Sequence, residues 1–122
     1  MCFVGGIESY NFEKLLDVAR LAEVGKTFGV SQLHTDYHRM LADPNLDAVS
    51  VVTMWDQHAA PTLAALQAGK HVFLEKPMAA TAQECIALAE AAKVINVELM
   101  IGHVLRYTPF VASYTRFSDD AF

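Results

Sequence analysis

The sequence predicts an α/β fold, a mostly parallel sheet flanked by helices. Three observations predict it. Short β-rich runs alternate with segments of helical period through the second half of the chain, and each intervening segment is long enough to cross between parallel strands. An apolar run also breaks abruptly into Glu75-Lys76-Pro77, where a strand would end. The carboxyl edge of a sheet is where open α/β proteins place ligand-binding groups.

Each element has its own warrant. Asp47 to Thr53 reads as a strand whose Ala48-Val49-Ser50-Val51-Val52 core is almost continuously apolar, as expected of a strand covered on both faces by helices. Gln57 to Ala68 has helical spacing, with Pro61 suited to a first turn and Gly69 to a left-handed residue after the last one. His71 to Leu74 is the second strand. Glu75 and Lys76 then emerge at its carboxyl edge, and Pro77 turns the backbone away. Thr81 and Glu84 form a capping box for a helix to Ile95, which Asn96 closes, and Val97 to Ile101 is the third strand. Two consecutive βαβ units result.

The front of the chain is less regular. Phe12, Leu15, Leu16, Ala19, Ala22 and Phe28 approximate a helical stripe, which favours one helix over Phe12 to Phe28; the alternative leaves Leu15 to Ala19 as a strand. Cys2-Phe3-Val4 reads as a vestigial first strand and Gly5-Gly6 as a shortened loop. Asp36 suits the N-cap of a helix over Tyr37 to Leu41, leaving His34 outside it; His34 and His38 are then a poor metal pair. Met40, Met54, Met78 and Met100 are read as core fillers.

Composition narrows the function classes. The chain has 122 residues, 53% of them hydrophobic, enough for one domain with a sizeable core. Nine basic against fourteen acidic side chains give a net charge of −5, which argues against a nucleic-acid partner. Cys2 and Cys85 have neither disulfide-framework nor zinc spacing, and the chain reads as cytoplasmic, with no membrane partner. There is no Gly-x-Ser-x-Gly elbow to support nucleophilic hydrolysis.

Several spaced motifs agree in order: Asp47-Ala48-Val49 with Thr53 and His58, Ala68-Gly69-Lys70-His71-Val72 leading to Glu75-Lys76-Pro77, and Gly102-His103 with Arg106. Over roughly Phe28 to Pro109 the chain resembles the nicotinamide-cofactor-binding domain of the glucose-fructose oxidoreductase and inositol dehydrogenase family, Gfo/Idh/MocA. The resemblance implies a Rossmann-like domain that binds NAD or NADP, with Thr53, His58, Glu75, Lys76 and Pro77 on the cofactor side. It implies further that Lys76 is the catalytic group, touching the cofactor ribose and a sugar or polyol hydroxyl, that Pro77 sets the turn through a cis bond, and that Arg106 lies toward the substrate side or a domain junction.

On this reading residues 1–122 form one truncated domain, with a divergent front end at 1–30, a family-like part at 31–109 and a C-terminal helix or tail at 110–122. The family's three-glycine phosphate turn is reduced to Gly5-Gly6, followed by the acidic Glu8, and the family's α+β substrate domain with its Asp and His catalytic pair has no counterpart. Two functions of different class follow. One is an NAD(P)-dependent oxidoreductase acting on a sugar or polyol, inactive as this chain alone; the other is a non-catalytic oligomeric or partner-binding module. Phe110, Tyr114 and Phe117 recur at helical spacing, and the shortened sheet exposes an edge, so a homo-oligomer is expected.

Each site residue also has a plainer role open to it. Lys76 could be a solvated surface lysine, Glu75 could pair with a neighbouring base, and His58 could be a helix-end residue without a ligand. Thr53 could satisfy a backbone group, and Arg106 could make a structural ion pair.

Overall fold

The computed structural model describes residues 3–4 and 18–109 of the chain. The expected helix from Phe12 and the aromatic stripe of Phe110, Tyr114 and Phe117 begin or lie outside the described residues. In chain order the elements are β1 (Phe3–Val4), α1 (Val18–Phe28), β2 (Leu33–His34), α2 (Tyr37–Leu41), β3 (Ala48–Val51), a 3₁₀ turn (Trp55–Gln57), α3 (Ala59–Gln67), β4 (His71–Leu74), α4 (Ala82–Ile95), β5 (Leu99–Ile101) and a second 3₁₀ turn (Val104–Tyr107). β1 pairs with β2, and β3, β4 and β5 form a three-stranded sheet in that order, every ladder parallel. The βαβαβ organisation of the second half is therefore as the sequence predicts. Val18 and Ala19 lie in α1, which rules out a strand reaching Ala19.

Helix ends explain why the elements stop where they do. Thr81 accepts from the Glu84 N–H and the Glu84 carboxylate accepts from the Thr81 N–H at 2.9 Å, the reciprocal capping box that starts α4. α3 ends in a left-handed Gly69, with the Lys70 N–H donating to the Ala65 carbonyl and the Gly69 N–H to Leu66. The same closure ends α4 at Asn96, φ 63°, with the Val97 N–H donating to Ala92. Pro61 occupies the third residue of α3, where a missing N–H leaves no intrahelical bond unmade. Asp36 caps α2 by accepting from the His38 N–H, which leaves His34 in β2.

The core lies on one face of the β3-β4-β5 sheet. Val49, Val51, Val72 and Leu74 are buried there with Ala65 and Leu66 of α3 and Leu88 and Ala92 of α4. Leu88 and Ala92 stand four apart, one turn of the same helix face. Met40 and Leu41 of α2 close the end of this cluster, and Met78 packs against it.

The second face corrects the sequence reading. β3 and β4 alternate exposed and buried positions, so among the described residues neither strand is covered on both sides. Ser50, Phe73 and Met100 stand opposite one another across the three strands on the outward face. Phe73 is 38% and Met100 47% exposed, so Met100 fills no core. An almost continuous apolar run cannot distinguish two-sided burial from one-sided burial when small or aromatic residues occupy the outer positions.

Candidate active site

The register of the parallel sheet sets the site. The Glu75 N–H donates to the Val51 carbonyl and the Gly102 N–H to the Leu74 carbonyl, each at the first residue beyond its strand. Residues after β3, β4 and β5 thus leave the sheet side by side along its carboxyl edge. That edge carries Thr53, then Glu75-Lys76-Pro77, then Gly102-His103, with Arg106 in the 3₁₀ turn that follows. The Lys76–Pro77 peptide bond is cis. Lys76 and Pro77 are exposed, Glu75 and Thr53 are half-buried, and Arg106 is exposed.

His58 links two parts of this edge. It lies at the junction of the first 3₁₀ turn and α3 and is 1% exposed. Its Nδ1 is 2.7 Å from the Pro77 carbonyl oxygen and its Nε2 is 2.9 Å from the Thr53 carbonyl oxygen. Both partners are acceptors. A neutral imidazole has one N–H and can donate to one of them; the doubly protonated ring donates to both. The Thr53 hydroxyl donates to the Gln57 carbonyl at 3.3 Å, closing the same turn from the other side.

Gly102 leaves room at the edge for the side chains of Phe73 and Glu75. A Cβ there would stand 3.0 Å from Phe73 Cζ and 3.2 Å from Glu75 Oε2, so the Glu75 carboxylate lies against the space a side chain would take. Gly102 belonged to the sequence motif without a role, and this close approach supplies one. Lys70 was another motif residue without a role. It is 8% exposed, and its Nζ donates to the Asp43 carbonyl at 2.9 Å, fastening the segment after α2 to the start of β4.

The structure therefore brings Thr53, His58 and Pro77 into one hydrogen-bonded unit, sets Glu75 against Gly102, and leaves the Lys76 side chain open at the edge. The donor set suits the sugar and nicotinamide end of a dinucleotide: an exposed ammonium with three donors, beside a carboxylate that can accept from hydroxyls. The phosphate end would fall to Gly5-Gly6, which lies outside the described residues. Among the described residues no group of three His, Cys, Asp or Glu is placed to hold a metal ion.

Known proteins share sequence and fold with this chain. Residues 10–103 match the Gfo/Idh/MocA family model, described as an oxidoreductase family with an NAD-binding Rossmann fold. Levoglucosan dehydrogenase of Pseudarthrobacter phenanthrenivorans is 33% identical over 99 residues, covering 81% of this chain and 25% of that protein. The NAD-dependent scyllo-inositol 2-dehydrogenase of Bacillus subtilis is 31% identical over 100 residues, covering 82% of this chain and 29% of its own. Among solved structures, levoglucosan dehydrogenase in complex with NADH and levoglucosan superposes with a TM-score of 0.74 at 32% identity, over 84% of this chain and 28% of that one. An NAD-binding oxidoreductase from Klebsiella pneumoniae gives 0.75 at 26% identity, over 84% and 27%. The chain spans between a quarter and a third of the length of these relatives. With its parallel sheet and a family match over most of its length, the chain belongs to the Gfo/Idh/MocA oxidoreductase family and has its NAD-binding Rossmann fold.

Proposed function

We propose that this chain is the cofactor-facing part of an NAD(P)-dependent oxidoreductase acting on a sugar or polyol, and that these 122 residues alone give little or no turnover. The observation that carries the reading is the exposed Lys76, held at the end of β4 between a strand buried on one face and a turn tied down by His58. A bound nicotinamide supplies hydride exchange at its C4 carbon. The chain's own contribution is to orient and to stabilise. The Lys76 ammonium hydrogen-bonds the oxygen on the reacting carbon and stabilises negative charge as it develops there, which is worth most where water is excluded. Glu75 and Thr53 border the ribose side, and Arg106, beyond β5, lies toward the substrate.

Sugar and polyol specificity is supported by the relatives, whose names include levoglucosan, xylose and inositol dehydrogenases. Both cofactors occur among them, as NAD- and NADP-dependent scyllo-inositol dehydrogenases. Low turnover of these 122 residues is supported by the reduced glycine turn at Gly5-Gly6, followed by the acidic Glu8. The chain is taken as one domain and as cytoplasmic; two cysteines without disulfide spacing support the compartment.

A second reading is an oligomeric module without turnover, favoured by the outward row of Phe73 and Met100. In either case a homo-oligomer is expected, and a clean monomer by light scattering at working concentration would count against it. Calorimetric titration with NADH and NADPH separates the two. Saturable binding that Lys76→Ala weakens supports the oxidoreductase, and no binding up to millimolar cofactor removes it.

A further inference from the structure

We infer that His58 is a positioning residue for Lys76: it makes no contact with a cofactor and acts by fastening the turn that carries the lysine. The inference deepens the proposed role of Lys76 and rests on it. Three observations carry it. The ring is 1% exposed, so it has almost no surface to offer a ligand. Each of its nitrogens faces a backbone carbonyl within hydrogen-bonding distance, Thr53 on one side and Pro77 on the other, which leaves neither open to a ligand. The carbonyl on the Nδ1 side belongs to the residue directly after Lys76, and the other closes the turn after β3.

The tie spans a gap the sheet cannot close. The ladder bond nearest the turn is the Glu75 N–H to the Val51 carbonyl; beyond it Lys76 and Pro77 have left the sheet and lie exposed. A long, flexible lysine side chain gains directional precision only if its own backbone is fixed. The imidazole supplies that fixation by bridging two strand ends through rigid ring geometry. His58 is itself held at the start of α3, where its carbonyl accepts from the Thr62 N–H at 3.2 Å.

The test combines ¹⁵N relaxation with NADH titration on the full chain and on His58→Gln, His58→Asn, Lys76→Ala and the His58→Gln/Lys76→Ala double variant. Leu66→Ala, in the core of α3, serves as a destabilised control. In the unsubstituted chain the Lys76 and Met78 amides should show order parameters near those of rigid backbone, about 0.85, falling below about 0.6 in a folded His58 variant but not in Leu66→Ala. NADH affinity should fall at least tenfold in His58→Gln, and the substitution should have no further effect once Lys76 is alanine, the pattern of residues acting as one unit.

Mobility at Lys76 already present in the unsubstituted chain would overturn the inference even if no variant folds. So would unchanged order in His58→Gln, or affinity losses that multiply in the double variant, which would mean that His58 touches the cofactor independently. If the unsubstituted chain binds no NADH, the cofactor reading fails by itself, and the relaxation measurements still decide whether His58 fixes the turn.

Discussion

His58 and Pro77 stand nineteen positions apart in the chain, yet the ring Nδ1 of the first lies 2.7 Å from the carbonyl oxygen of the second. The bond joins the start of α3 to the turn after β4, across the helix and strand that separate them in sequence. Removing the ring takes the N–H donor from at least one of the two carbonyl oxygens, of Thr53 and Pro77, that face it. His58→Ala is therefore expected to destabilise the fold by about 2–4 kcal/mol, combining lost hydrogen bonds with a buried void. Urea denaturation followed by circular dichroism measures it, and a loss under about 1 kcal/mol would show that water replaces the ring at little cost.

Lys76 should show the opposite profile. Its side chain is exposed and no core contact depends on it, so Lys76→Ala should change stability by no more than about 0.5 kcal/mol. NADH affinity should nevertheless fall about tenfold or more, as expected for loss of a charge-assisted hydrogen bond worth about 1.5–3 kcal/mol. Equal affinity for the two proteins in the titration would place the cofactor elsewhere.

Thr62 provides a test free of functional argument. Among the described residues its Oγ1 is a buried side-chain oxygen without a hydrogen-bond partner, and the residue is fully buried in α3. Thr62→Val keeps the shape and removes the unsatisfied hydroxyl. It should raise stability by about 1 kcal/mol, a rise of roughly 3–5 °C in Tm for a chain of this size. A fall in Tm on calorimetric scanning would mean that the hydroxyl is satisfied in solution by water.

The two ends of α4 make a matched pair. Thr81→Ala removes the side-chain half of the capping box and should cost about 1 kcal/mol. Asn96→Ala puts a Cβ-bearing residue without a local polar side chain at φ 63° and should cost a similar amount, whereas Asn96→Gly should stabilise slightly. Thermal melts of the three variants check the order.

How much could be read beforehand depended on whether the cause was local. Thr81 with Glu84, Asp36 before α2, Gly69 and Asn96 act within a few residues of themselves, so sequence spacing was enough to place them. His71–Leu74 was legible with its bounds because Gly69 and Glu75-Lys76-Pro77 punctuate it on both sides. The bond from His58 to Pro77 was not, because the partner is a backbone carbonyl, which every residue possesses and no sequence pattern marks. The outward position of Phe73 and Met100 was hidden for a related reason. Burial on the second face depends on what covers it, and strand composition is silent on that. β2 escaped notice because two residues are too few to display a period.

The shared register of β3, β4 and β5 has a consequence for how such a site can change. Strand ends set side by side resemble the teeth of a comb, with a pitch of about 4.8 Å fixed by hydrogen bonding between neighbours. Lengthening one connection alters the height of one tooth and leaves the pitch untouched. Shifting one strand by a single residue would turn its buried side chains outward, a change the core under Val51 and Leu74 strongly opposes. New chemistry can therefore be tried at the tips, one loop at a time, while the spacing between tips is inherited from the sheet.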